Sequence, residues 1–255
     1  MKLGEMTWPE IGDLDRERFV AVYPIASFEQ HGDHLPLLTD TLECEGITAA
    51  MEERAGDRIV VLPTQWLGYS FHHIHFGGSL TATSRTHVSM VVETVDCLVR
   101  AGFDKVLILN GHGGNQADMR VALQDLRERH MEARVYGASW WEVAQPGLDE
   151  VRTAGPDGSG HAGETETSLM LHLHPDLVRP ARPVRGGARA PSAYESEVQR
   201  FHMLEEVSPR GHFGDPAAAS AEKGERMLAA IVDSLCGIVD DILSGRLDPQ
   251  PARES

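Results

Sequence analysis

The chain has 255 residues, 41% of them hydrophobic, enough apolar material for one large domain or two small ones. Its formal net charge of −16 and the lack of any Lys/Arg cluster speak against a nucleic-acid or anionic-membrane partner, and any acid gathered into a site would suit cations. No apolar run reaches ~18 residues, so no membrane span is expected.

Three widely spaced cysteines, Cys44, Cys97 and Cys236, fit free thiols in a reducing compartment better than a disulfide framework. The opening MKLGEMTWPEIGDLDRERFV has no apolar signal-peptide core. A cytoplasmic protein is the resulting expectation.

In chain order, FVAVYPI (Phe19–Ile25) reads as a buried strand. It runs into ASFEQHGDHLPLLTDT (Ala26–Thr41), where Glu29, His31 and Asp40 gather around a Pro-containing link. Glu29 and His31 are two apart, so an extended stretch would place them on one side. A carboxylate, an imidazole and a second carboxylate can ligate Zn²⁺, Mn²⁺ or Fe²⁺. The alternative is a solvated loop with Asp40 capping the helix expected over Thr41–Arg54.

RIVVLP (Arg58–Pro63) is the second expected strand, and GYSFHHIHFGGS comes after it. Ser70, His73 and His75 there are candidate substrate contacts, with His73 and His75 placed on one side by alternation. A structural polar loop is the competing reading. Thr86–Ala101 has a helical period that stops at Gly102.

KVLILN (Lys105–Asn110) is the clearest strand, and NGHGGN (Asn110–Asn115) leads from it into a helix over roughly Asn115–His130. The glycines permit a tight turn and close backbone approach, leaving His112 as the functional side chain. A phosphate cradle at the helix N-terminus competes, although the spacing matches neither the P-loop nor the dinucleotide fingerprint. ARVYGASWW (Ala133–Trp141) is a further strand, ending in Trp140 and Trp141 as candidate substrate contacts.

Gln145–Gly160 reads as irregular. GHAGETETS (Gly160–Ser168) then opens a helical pattern and carries His161, Glu164 and Glu166. These residues suit either a general acid/base beside a metal-ligating carboxylate or a plain helix-capping arrangement. Arg179–Pro216 is rich in Pro, Arg, Gly and Ser and reads as an irregular loop or lid. Ala217–Leu243 is a final amphipathic helix, and His130 and His202 are expected on the surface.

Strand–helix alternation of this kind predicts one α/β domain over residues 1–255: a three-layer α/β/α sandwich around a mostly parallel sheet. In such sheets ligands bind beyond the carboxyl ends of the strands, so the acid/His segments can converge on one rim. Glu29, His31, Asp40, His112 and a Glu near 164–166 would then supply a two-metal hydrolase. A metal- or phosphate-binding module without catalysis is the non-enzymatic alternative.

The motifs EQHGxHLPLxTD, NGHGGN and HAGxxETS, in this order and spacing, resemble the creatininase (creatinine amidohydrolase) family. GHFGDPAAASAEKGERML (Gly211–Leu228) is similar to its C-terminal segment. The resemblance implies an α/β/α hydrolase, usually hexameric, with a small-molecule substrate and two divalent metal ions (Zn, Mn or Fe) per subunit. It implies that Glu29 and His112 ligate one ion, His31 the other, and that Asp40 bridges them. His161 would be the acid/base, Glu166 would serve the second ion or the water, and Glu164 falls on a variable position.

Members that open creatinine carry an acid two residues after the motif His, where this chain has Gly114. The expected substrate is therefore another amide-type C–N compound, with a cyclic ketose or lactone, or a short peptide, as alternatives on the same metal scaffold.

Overall fold

The computed structural model describes residues 1–179 and 201–248. Within them, four strands form a wholly parallel sheet in the order β2-β1-β3-β4: β1 Val20–Ile25, β2 Ile59–Val61, β3 Lys105–Asn110 and β4 Arg134–Ser139. β1 and β3 lie side by side at the centre, in a register that ends with Ile25 opposite Asn110.

Alternation along these strands decides the layers. Val20, Val22, Leu107 and Leu109 point to one face, where they pack against Ile47, Met51, Leu148, Leu169, Ile231 and Leu235. Ala21, Tyr23, Ile25, Val106 and Ile108 point to the other, against Val91, Val95, Met119 and Leu126. Both faces are covered, so the strands lack polar alternation and read as continuous apolar runs. Each fully buried aliphatic side chain contributes about 1.5–3 kcal/mol.

The helices are α1 (Trp8–Gly12), α2 (Thr39–Ala55), α3 (Ser84–Arg100), α4 (Gln116–Arg129), α5 (Trp140–Val143), α6 (Gln145–Val151), α7 (Glu164–Leu173), α8 (Leu204–Val207) and α9 (Ala221–Leu243). The first face carries α2, α5, α6, α7 and α9, and the second carries α3 and α4. Thr83 caps α3 by accepting from the Thr86 amide, and Ser220 caps α9 by accepting from Lys223. No helix among the described residues is long and apolar enough to cross a membrane.

Several expectations shift. Trp140 and Trp141 start a short helix instead of finishing β4. Gln145–Val151, expected to be irregular, is helical, with Pro146 in its first turn. Of the expected 179–216 loop, residues 180–200 lie outside the described residues. The stretch from Phe201 to Pro216 holds α8 and enters a 3₁₀ turn at Pro216–Ala218.

Candidate metal centre and cleft

The carboxyl ends of β1 and β3 hold the site. After Ile25 the chain turns through Ala26–Leu35, and the Glu29 amide donates to Leu37 O at 2.8 Å. After Asn110 it runs through Gly111, His112 and a 3₁₀ turn at Gly113–Asn115. Asn115 ties these segments to a third. Its Nδ2 donates to Ala26 O at 3.0 Å, and its Oδ1 accepts from the Tyr69 amide at 2.9 Å. Gly111 lets α2 press close, since a Cβ there would fall 2.2 Å from the buried Cys44 Sγ.

Asp40 lies in the first turn of α2, where the helix dipole favours a carboxylate. Its Oδ2 accepts from Ser27 Oγ at 2.6 Å and faces His112 Nδ1 at 3.0 Å, and its Oδ1 faces His31 Nε2 at 2.8 Å. His31 Nδ1 donates to Glu29 O at 3.1 Å, which fixes the ring with Nε2 toward Asp40 and, at 4.0 Å, Glu166 Oε2. Glu29 is fully buried. Its Oε2 lies 3.1 Å from His112 Nε2, and its Oε1 lies 3.3 Å from His73 Nε2 and 3.7 Å from His161 Nδ1. Neither Glu29 oxygen makes a hydrogen bond of acceptable geometry despite this ring of nitrogens.

His161 precedes Ala162, the non-glycine residue that takes a left-handed backbone (φ 54°) among the described residues. That turn aims the Ala162 amide at Glu166 Oε2, while His161 Nε2 donates to Gln30 O at 2.8 Å. The Gln30 side-chain amide in turn donates to His73 Nδ1 at 2.8 Å. Gly163 then caps α7 in a crowded corner, where a Cβ would meet Gly158 O at 2.6 Å and Gly160 O at 2.7 Å.

The electrostatics come from burial and neighbours. Burial opposes ionisation of Glu29, but the imidazoles of His112, His73 and His161 outweigh it and hold its pKa well below the carboxylate range. Asp40 is lowered in the same way by His31 and His112. His31 is held up to about 9 because Asp40 overcomes its burial. Glu166 is pushed up to about 7 by burial, opposed by His31. Burial and then His31 pull His161 down to about 3, so this ring is neutral.

Glu29, Asp40, His112, His161 and Glu166 floor a cleft of about 600 Å³. Trp140, Trp141, Leu148 and Phe213 supply its apolar walls, with Gln116, Arg152 and His202 as polar lining. The Trp140 and Trp141 rings meet edge to face at 5.5 Å.

Among the candidates from sequence, Glu29, His31, Asp40, His112, His161 and Glu166 converge, and Ser70 is buried beside His112 with Oγ 3.4 Å from Nε2. Two do not join. Glu164 faces the other way and accepts from the Thr153 and Ala154 amides and from Lys223 Nζ. It sits two residues before Glu166, a separation that turns a helical side chain by roughly 200°. His75 points outward and pairs with Glu205, because Phe71–His73 is a 3₁₀ turn and alternation does not apply.

His130 is half-buried against Asp96, and His202 lines the cleft, although both were expected on the surface. Of the residues that sequence reasoning missed, Gln30 stands inside the EQHGxHLPLxTD motif and His72 in the FHHIH run, whereas Glu43 and Arg152 carry no motif signal.

Three ligand-type groupings lie close enough for ion binding: Glu29, His31 and His161; Glu29, His72 and His112; and His31, Asp40 and Glu166. A buried carboxylate whose oxygens make no hydrogen bond among converging imidazoles is the donor set a divalent cation satisfies. The competing anion cradle would have to form beside the buried carboxylates of Glu29 and Asp40.

A family model described as creatinine amidohydrolase matches residues 4–239. The mycofactocin precursor peptide peptidase of Mycobacterium ulcerans (strain Agy99) is 32% identical over 237 residues, covering 89% of this chain and 83% of that protein. The creatinine amidohydrolase of Pseudomonas putida is 30% identical over 263 residues, covering 94% and 95%. A crystal structure of creatinine amidohydrolase (creatininase) superposes with a TM-score of 0.80 at 27% identity, covering 98% of each chain. A creatininase variant described as a Zn-Zn type gives 0.79 at 27%, covering 97% of this chain and 98% of that one.

Proposed function

The chain belongs to the creatininase family of hydrolases, and from that premise we propose that it hydrolyses an amide-type C–N bond of a small polar substrate with two divalent metal ions. The observation that carries the metal reading is the Glu29 carboxylate, fully buried, unbonded and ringed by imidazole nitrogens. Glu29, His112 and Asp40 would hold one ion; His31, Asp40 and Glu166 would hold the other, with Asp40 shared. Bound there, Zn²⁺, Mn²⁺ or Fe²⁺ supplies Lewis acidity toward a carbonyl and a water whose pKa is lowered toward neutrality.

The chain's own residues do the rest. His161 keeps its Nε2 proton on Gln30 O, so its Nδ1 lone pair, on the Glu29 side, can take a proton from the attacking water. The same nitrogen then delivers that proton to the departing amine. Gln30 locks His73 from behind, and the Trp140/Trp141 corner with Phe213 shields the reacting carbonyl from bulk solvent.

A second substrate, the end of a short peptide, is favoured by Arg152. This guanidinium lines the cleft; one terminal nitrogen pairs with Asp149, while Nε is buried without a hydrogen-bond partner, and a terminal carboxylate complements it. The relatedness to a peptide peptidase supports the same choice.

The test is a panel of small amides, formamides, short peptides and cyclic ketoses offered to Zn²⁺- and Mn²⁺-reconstituted protein. Glu29→Ala, Asp40→Ala and His161→Ala are then assayed on whichever substrate turns over. Full turnover by each variant would sink the assignment.

A further inference from the structure

We infer that His72 is a further protein ligand at the Glu29/His112 end of the centre, giving that end two imidazoles where the His31 end has one. The inference rests on the two-metal reading above. One nitrogen of His72, one of His112 and a Glu29 oxygen lie within 4.8 Å of one another, close enough to share one ion. His72 Nδ1 is buried and has no hydrogen-bond partner, an unfavourable arrangement that a ligand would relieve.

The geometry around His72 is built for this placement. Its ring lies parallel to that of His112, 13° apart with centroids at 5.6 Å, and is backed edge-on by Phe201 at 6.0 Å and His73 at 4.1 Å. Gly114 provides the room. A Cβ there would fall 2.4 Å from His112 Nε2, 2.9 Å from His72 Cε1 and 2.2 Å from Tyr69 O. The position at which creatinine-opening relatives are expected to carry an acid is therefore a glycine, and His72 stands against the vacated space.

The consequence is chemical asymmetry. The Glu29 end offers two nitrogens with carboxylates, and the His31 end offers one nitrogen with the oxygens of Asp40 and Glu166. The nitrogen-rich end favours Zn²⁺, and the oxygen-rich end tolerates harder ions such as Mn²⁺.

The test uses the full chain stripped with chelator and titrated with Zn²⁺ by calorimetry, and with Co²⁺ for visible absorption and for counting hyperfine-shifted imidazole N–H resonances. Wild type should take up two ions. His72→Phe should weaken one of them more than about 100-fold, beyond the roughly 10–100-fold typical of outer partners, and lose one shifted resonance. Gly114→Ala, which keeps every ligand but crowds both imidazoles, should weaken the same ion with the resonance count intact; it carries the test should His72→Phe fail to fold.

Wild-type affinity in either variant, or an unchanged resonance count in His72→Phe, overturns the inference while leaving the two-metal reading in place. A wild-type protein that takes up no ion overturns both.

Discussion

Replacing Glu43 with Leu should stabilise the chelator-stripped protein, an unusual outcome for a substitution in a buried polar region. Glu43 sits on α2 three residues beyond Asp40, is fully buried, and neither carboxyl oxygen has a hydrogen-bond partner. Burial first, then the charges of Glu166 and Asp40, pushes its pKa well above the usual value. An unsatisfied buried polar group costs about 1–3 kcal/mol, and exchanging buried charges for apolar groups of similar volume can gain about 1–4 kcal/mol. We therefore expect Glu43→Leu to add about 1–3 kcal/mol, or roughly 2–10 °C in Tm for a chain of this size.

The pH dependence gives a second, independent check. A carboxyl with a raised folded pKa contributes most below its unfolded value of 4.5, where both states are protonated. As pH rises, the unfolded chain ionises first and wild-type stability falls, so the advantage of the Leu variant should grow from about pH 4.5 upward. Glu43→Gln, neutral but still unpartnered, should gain less than Leu. Urea unfolding in chelator from pH 5 to 8 measures all of this. A Leu variant less stable than wild type, or an advantage that shrinks with rising pH, would refute the reasoning by showing that Glu43 has a partner.

Glu164 and Glu166 should separate structure from chemistry. Glu164→Gln breaks a mostly buried pair with Lys223 and should cost about 3 kcal/mol of stability with little change in kcat, whereas Glu166→Gln should weaken metal uptake with little change in stability; denaturant curves and metal titrations on both check this. On α9, Gly237→Ala has nothing within 4 Å of the new Cβ and should gain about 0.8 kcal/mol, while Gly224→Ala would place its Cβ 2.0 Å from Ser168 O and should lose about 1–2 kcal/mol net, both read by thermal unfolding. Tyr136 donates to Asp248 Oδ1 at 2.6 Å, and burial together with that bond pushes its pKa up to about 12. The associated stability should be intact below pH 10 and fall between 10 and 12, a limb that Tyr136→Phe flattens in alkaline unfolding curves.

The sheet was legible because its strands are apolar on both faces: the reading of Lys105–Asn110 coincides with β3, and that of Phe19–Ile25 overshoots β1 by one residue. Helix ends were less so. α2 starts at Thr39, two residues earlier than the Asp40 cap suggested, where the Thr39 hydroxyl donates to Pro36 O. The convergence of Glu29, His31, Asp40 and His112 was legible as motif spacing plus parallel topology, which brings distant strand ends to one rim, whereas the place of His161 rested on the resemblance.

What could not be read were orientations set by tertiary contacts. Glu164 is turned to Lys223 by α9, and His75 is turned out by a 3₁₀ turn that alternation cannot foresee. Gln30, although inside a motif, takes its role from His73 and His161, which are remote in sequence, and Glu43 has no local pattern.

The close approach of Gly111 to Cys44 gives the molecule a built-in clock. Cys97 is exposed and open to alkylation at once, whereas Cys44 and Cys236 are buried, and burial raises both their thiol pKa values. Cys44 can meet a reagent only when α2 lifts from the β3 turn, and Cys236 only when α9 lifts from the sheet. Pulsed labelling with peptide mass analysis would therefore time two local openings separately, one beneath the proposed metal centre and one along α9 on the same face of the sheet. A difference between those two rates would divide the fold into parts that open independently, with the native thiols as the only probes.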